Sequence, residues 1–220
     1  LQTIRDLVQR LRENELGLDV LIHNASVMMP NWEQSVDGFE KTFATNVLGP
    51  FLLTHLLVPL LENRRSARVI TVSSGGMYTQ RIDIEDLQWR HKPYNGMVAY
   101  AQSKRAQVIL SELWSEQMAG SGITVNAMHP GWVDTPGLRR SMPAFRRLMS
   151  PLLRTPDQGA DTILWLACAP HLGGETGKFW FDRRERPTHR LQRTRNTEEE
   201  RQRLWEKCVK LSGVMISADK

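Results

Sequence analysis

Ile4, Leu7, Val8 and Leu11 recur at i, i+3, i+4 and i+7 with Arg5, Arg10 and Arg12 between them, the spacing that gathers apolar side chains on one face of a helix. Gly17 ends that helix, and the mostly apolar run Leu18 to Ile22 follows as a short strand. A strand without polar alternation is what a parallel sheet covered on both faces requires. The pattern then predicts a helix from about Asp37 to Leu61, a strand from Arg68 to Ser73, a helix from about Val98 to Met118 and a strand from Ile123 to Met128. A helix from Pro156 to Cys168 and a strand from Lys178 to Phe181 follow. Short strands alternating with longer helices argue for βα units on one parallel sheet, an α/β fold. Thr197 and Glu200 form a capping-box pattern ahead of Leu204, Cys208 and Leu211, so the chain is expected to end in a helix. Residues 1–182 therefore read as one domain, and residues 183–220 as a basic connector with an amphipathic tail helix.

Composition narrows the class. A chain of 220 residues suits one domain, and 40% hydrophobic with 24% charged residues excludes a disordered chain or a coiled coil. Only Cys168 and Cys208 are present, which excludes a disulfide framework and a thiolate zinc site. No metal is expected, and a reducing, cytoplasmic compartment fits best. The apolar stretch from Val47 to Leu61 is 15 residues long and contains Pro50, His55 and Pro59. It falls short of the ~20 residues that span a bilayer and reads as a buried helix. The net charge of +5 gathers in Arg183 to Arg195, where six arginines face one acid, Glu185. With no aromatic residue among them to stack on bases, nucleic acid is not an expected partner. This stretch reads as a solvated connector separable from the chemistry, with a weak contact to an anionic membrane surface as the alternative.

The residues that carry chemistry converge on one edge. Tyr100 and Lys104, at i and i+4, share a helix face, where an ammonium can stabilise a phenolate. That draws a phenol from ~10 toward the range of a general acid or base. The pair alone is a weak signal. Its weight comes from the strand ends: the second strand ends in Ser73-Ser74-Gly75-Gly76, the third in His129 and Pro130 to Thr135, and the first in His23-Asn24-Ala25-Ser26. Open α/β sheets bind ligands at that carboxyl edge. Asn46 lies in the helix after the first strand. His23 reads as a packed core residue.

With these motifs the chain resembles the short-chain dehydrogenase/reductase family over roughly residues 1–182. Asp37-Gly38-Phe39-Glu40, Asn46 to Thr54 and the long segment between Ser74 and Tyr100 are similar to its retinol-dehydrogenase-like branch. The resemblance implies a Rossmann-like parallel sheet with flanking helices. It also implies an oxidoreductase that moves hydride between NAD or NADP and an alcohol or carbonyl on a small, lipophilic substrate. Tyr100 would be the catalytic acid/base and Ser74 the hydroxyl that orients the carbonyl. Lys104 would bind the nicotinamide ribose and depress the Tyr100 pKa, and Asn46 would support a proton relay. Asn24, Ala25, Pro130, Gly131, Val133 and Thr135 would border the cofactor together with Tyr100 and Lys104.

Two departures stand against the family pattern. Ser26 replaces a glycine that would let backbone approach the cofactor closely. The glycine-rich turn that places pyrophosphate at a helix N-terminus, expected before the first strand, has no match. The expectation is an N-terminally truncated chain lacking the βαβαβ half of the fold, roughly 60 residues, and with it the residue that chooses between NAD and NADP. The alternative function is then a non-catalytic fragment acting through protein–protein contacts, a homo-oligomer included, at the exposed edge of the first strand.

Overall fold

One sheet organises the chain, with strand order β1 (Val20–His23), β2 (Arg68–Val72), β3 (Thr124–Met128), β4 (Phe179–Phe181) and β5 (Arg184–Glu185). The computed structural model describes residues 1–14, 17–141, 143–172 and 174–215. β1 to β4 pair in parallel and β5 returns antiparallel on β4. The register sets His23 beside Thr71 and Val72 beside Met128, so the segments after β1, β2 and β3 leave the sheet at one edge. β1 forms the outer strand, with Ile22 39% exposed.

Alternate residues of β2 serve opposite faces, as the two-residue period demands. Val69 and Val125 join the core under helices α1 (Gln2–Glu13), α2 (Lys41–Glu62) and α3 (Gly96–Gln117). Ile70, Val72 and Met128 join Leu166 and Trp180 in a second core on the other face. Two short helices that hydrophobic spacing does not reveal, α4 (Pro136–Ser141) and α5 (Pro143–Met149), follow β3, and α6 (Pro156–Cys168) covers the second core. Helix α6 begins in a capping box in which Thr155 and Gln158 bond each other's backbone.

Helix α2 starts four residues later than the pattern predicted, at Lys41 rather than Asp37, and ends one residue beyond Leu61. Glu40 caps it, its carboxylate accepting from the N–H of Thr42 and Phe43 at 2.8 and 2.6 Å, and it continues for 22 residues to Glu62. It is long and apolar enough to cross a membrane by length and composition. In the fold it is a core helix, with Phe51, Leu52, Leu57, Leu60 and Leu61 buried. A wide π-type turn over Ala44–Leu48 precedes Pro50. Pro50 has no N–H to offer the buried carbonyl of Asn46, and Gln107 of α3 donates to that oxygen instead at 2.7 Å.

The final helix, α7 (Glu198–Ser212), carries the predicted capping box between Thr197 and Glu200. It packs into the body of the fold. Leu204 and Cys208 are fully buried in the same core as α1, α2 and α3. The Trp205 ring lies 5.0 Å from Phe51 and 4.6 Å from Trp114. Arg201 pairs with Glu112 and Glu116, and Arg5 of α1 donates to the Ser212 carbonyl at 2.6 Å. The expected solvated connector is also corrected. A two-residue turn at Asp182 and Arg183, both with left-handed φ, folds β5 back onto β4. The Pro187 carbonyl then accepts from the Tyr78 hydroxyl at 2.7 Å, and the Thr188 carbonyl accepts from Arg105. Arg105 is buried and a guanidinium there needs acceptors, so the connector's backbone is held across α3 rather than left in water.

Candidate active site

Asn95 accepts from the Val98 N–H at 3.1 Å and starts helix α3. Along it Tyr100, Ser103, Lys104, Gln107 and Ser111 fall at i, i+3, i+4, i+7 and i+11, a polar stripe in which all but Tyr100 are buried. A buried polar stripe persists only if its members find partners; each makes at least one hydrogen bond, although Gln107 Oε1 has none among the described residues. Lys104 Nζ donates to the Val72 carbonyl at 2.9 Å. Ser103 Oγ donates to the Tyr100 carbonyl at 2.7 Å and accepts from Asn46 Nδ2 at 2.9 Å. Gln107 Nε2 holds the Asn46 carbonyl, and Ser111 Oγ lies 3.0 Å from Thr71 Oγ1.

The two serines after β2 divide their work. Ser73 is buried and donates to the Lys104 carbonyl at 2.9 Å. Ser74 caps the turn at Gly75–Thr79, accepting from the Gly76 N–H at 3.2 Å, and is one of the two serines that act on the Tyr100 phenol. Tyr100, Ser74 and Lys104 are therefore brought together at the carboxyl edge of the sheet. Burial raises the phenol's pKa above its ordinary value, and hydrogen bonds from Ser74 and Ser26 oppose that rise in part. Burial also pulls the Lys104 ammonium down to about 7. Its Nζ stands 5.5 Å from the centre of the Tyr100 ring. Desolvation is the largest influence on both groups.

Asn46 is fully buried and clamps the segment after β1: its Oδ1 accepts from the Val27 N–H at 2.8 Å and its Nδ2 donates to the Val27 carbonyl at 2.9 Å. Asn24 and Ala25 are exposed beyond the end of β1. Pro130, Gly131, Val133 and Thr135 are half-buried beyond β3. Gly131 has φ +78°, and a Cβ there would stand 2.8 Å from Arg154 Nε, so the turn requires glycine. Thr135 Oγ1 accepts from the Leu138 N–H at 3.2 Å and starts α4. His23 is a buried core residue with Nε2 2.7 Å from Thr54 Oγ1, and burial holds its pKa at about 4. Among the described residues no cluster of three His, Cys, Asp or Glu side chains is placed to hold a metal ion.

Two expected results follow here. A Cβ at Gly96 would come within 2.1 Å of the Met29 carbonyl oxygen, a backbone atom that cannot swing aside. Gly96→Ala is expected to push residues 27–30 off the head of α3, at a cost of about 1–3 kcal/mol, read as a lower urea midpoint. The second concerns pH. The unfolded chain binds more protons than the folded one between about pH 7 and 10.5, the folded and ordinary values for Lys104, and again between about pH 4 and 6.5 for His23. Stability contributed by both groups therefore rises with pH across each window. Lys104→Met is expected to flatten the upper rise in urea midpoints measured from pH 6 to 9.

Ser103 and Gln107 escaped the sequence reading, although a signal for them existed: polar residues repeating at helical spacing on a face that also holds Tyr100 and Lys104.

The short chain dehydrogenase family matches residues 1–144. The chain belongs to that family. As a short-chain dehydrogenase it is 47% identical over 196 residues to dehydrogenase/reductase SDR family member 12 of Bos taurus, covering 88% of this chain and 61% of that protein. It is 38% identical to polyprenol dehydrogenase of Homo sapiens, covering 97% of this chain and 66% of that one. The chain thus spans about six-tenths to two-thirds of the length of these curated relatives. Among solved structures, an uncharacterised protein from Mycobacterium paratuberculosis superposes with a TM-score of 0.71 at 31% identity, over 94% of this short-chain dehydrogenase and 71% of the other.

Proposed function

We propose that the chain is the catalytic part of an oxidoreductase that moves hydride between a nicotinamide cofactor and an alcohol or carbonyl. The observation that carries this reading is the meeting of Tyr100, Ser74 and Lys104 at the carboxyl edge of the sheet. A bound nicotinamide supplies or accepts the hydride. Ser74 Oγ orients the substrate oxygen, and the Tyr100 phenol delivers a proton to it in reduction or removes one in oxidation. Proton delivery needs a neutral phenol, and burial keeps it neutral. Among the described residues Lys104 Nζ donates only to the Val72 carbonyl, and so retains N–H donors for the cofactor's ribose hydroxyls. Asn24 and Ala25 on one side and the turn from Pro130 through Gly131 and Val133 to Thr135 on the other would border the cofactor. Asn46 supports the site by fixing residue 27 and Ser103.

The nicotinamide end of the cofactor therefore fits the residues present, whereas these 220 residues include no glycine-rich turn for its pyrophosphate. NAD and NADP fit equally. A lipophilic substrate is supported by the exposed apolar side chains of Trp132, Leu148 and Leu152, which follow the β3 turn. The names of the retinol and polyprenol dehydrogenases among the relatives point the same way. A second reading, a non-catalytic contact with another protein or a second copy, is favoured by the outer strand β1 and the exposed Ile22.

The test compares the 220-residue chain with the same chain fused behind a βαβαβ segment carrying the glycine-rich turn of a family relative. Calorimetry should give NADH or NADPH affinity weaker by orders of magnitude for the chain alone. Long-chain aldehydes should oxidise the reduced cofactor only with the fusion. Micromolar affinity of the chain alone would overturn the account of the pyrophosphate. Absence of turnover by the fusion with every carbonyl tried would overturn the activity, and self-association by sedimentation would then favour the second reading.

A further inference from the structure

Gln107 sits in the buried stripe of α3 with only half of its amide committed. Its Nε2 donates to the Asn46 carbonyl at 2.7 Å, and because a carbonyl can only accept, that contact fixes which end of the amide is oxygen. Oε1 is therefore turned away from Asn46. Gln107 is 3% exposed, and no donor among the described residues reaches its Oε1. A buried acceptor is costly to leave without a donor. The same side chain lines a cavity of about 20 Å³ between the sheet and helices α2 and α3. The other polar walls are His23 of β1, Thr71 of β2, Thr54 of α2 and Ser111 of α3, all buried. These groups are already engaged with one another, His23 Nε2 with Thr54 Oγ1 at 2.7 Å and Ser111 Oγ with Thr71 Oγ1 at 3.0 Å. Each hydroxyl oxygen has two lone pairs, so the walls can still accept.

We propose that this cavity is a binding site for one resident water molecule, which donates one hydrogen to Gln107 Oε1 and the other to a hydroxyl on the cavity wall. A single water needs roughly 10–15 Å³ and two to four polar partners, and the cavity supplies both. The chemistry of the walls selects a neutral ligand. No Asp, Glu, Lys or Arg lines the cavity, and burial keeps the His23 ring uncharged down to about pH 4, so nothing there balances an ion. The water's role is positional. Gln107 holds the Asn46 carbonyl, and the Asn46 side chain holds Val27 and Ser103. A donor on Oε1 opposes an end-for-end turn of the amide, which would set oxygen against the Asn46 carbonyl. Neither Tyr100 nor Lys104 lines the cavity, so the site stands apart from the oxidoreductase reading.

A high-resolution crystal structure of the 220-residue chain should show an ordered water about 2.7–3.2 Å from Gln107 Oε1. In solution, 17O relaxation dispersion counts the waters held inside a protein. Val69 lines the cavity from β2, and Val69→Ile adds a methyl group to that wall. The variant should lower the dispersion amplitude by about one water and move the side-chain amide resonances of Gln107. Near-UV circular dichroism establishes that the variant is folded. Where it is not, Val125→Ile adds the same methyl from β3. A protein group bonded to Gln107 Oε1 in the crystal, or no ordered water there, overturns the proposal. So does an unchanged dispersion amplitude in a folded variant whose isoleucine fills the cavity.

Discussion

Replacing Tyr100 by Phe is expected to cut turnover by about 10²- to 10⁴-fold, the usual contribution of a positioned proton donor. The ring stays, so its packing on α3 is kept, and only the phenol hydroxyl with its transferable proton is lost. Urea midpoints should change little, because the side chain is only half-buried and the ring is kept. Ser74→Ala should lower turnover less, since the proton donor remains. The comparison is made by following nicotinamide absorbance with the fusion described above. Turnover of Tyr100→Phe within twofold of the parent would remove Tyr100 from the chemistry.

The parallel α/β order was legible because each strand is a short apolar run and each long helix has its own period. Strands β1 to β4 and the helices α3 and α6 fall within about two residues of their predicted ends, whereas β5 lies in what the pattern read as connector. The site was legible in part. Tyr100 with Lys104 shows in spacing, and Ser74 shows as the end of a strand. What could not be read were distances across the fold. Nothing local says that Ser73 would be spent on the Lys104 carbonyl, or that Asn46 would hold Val27. Burial also outweighed charge: the i, i+4 spacing suggests an ammonium that helps a phenolate, yet both groups are taken from water and both resist ionisation. The connector misled for a related reason. Its arginines are mostly exposed as expected, but its backbone carbonyls are the acceptors that Tyr78 and Arg105 need.

The tail supplies the other large effect. Ending the chain at residue 196 is expected to abolish cooperative folding. Leu204 and Cys208 are wholly enclosed, and without α7 the faces of Phe51 and Trp114 that meet Trp205 would open to water. Leu204→Ala alone should cost about 2–5 kcal/mol, a large part of the 5–15 kcal/mol typical of a domain. Urea unfolding followed by tryptophan fluorescence reads both. A truncated chain with an unchanged midpoint would mean that the helix is an accessory after all.

The break in α2 at Pro50 leaves a mark that would be visible across generations rather than in a cuvette. Because Pro50 cannot bond the Asn46 carbonyl, Gln107 on the neighbouring helix is committed to doing so. The two positions are therefore tied although 57 residues apart in sequence, and drift at one constrains the other. In a lineage where position 50 regains an N–H, the carbonyl has a partner within its own helix and position 107 is released to vary. Where proline persists, a long amide donor at 107 should persist with it.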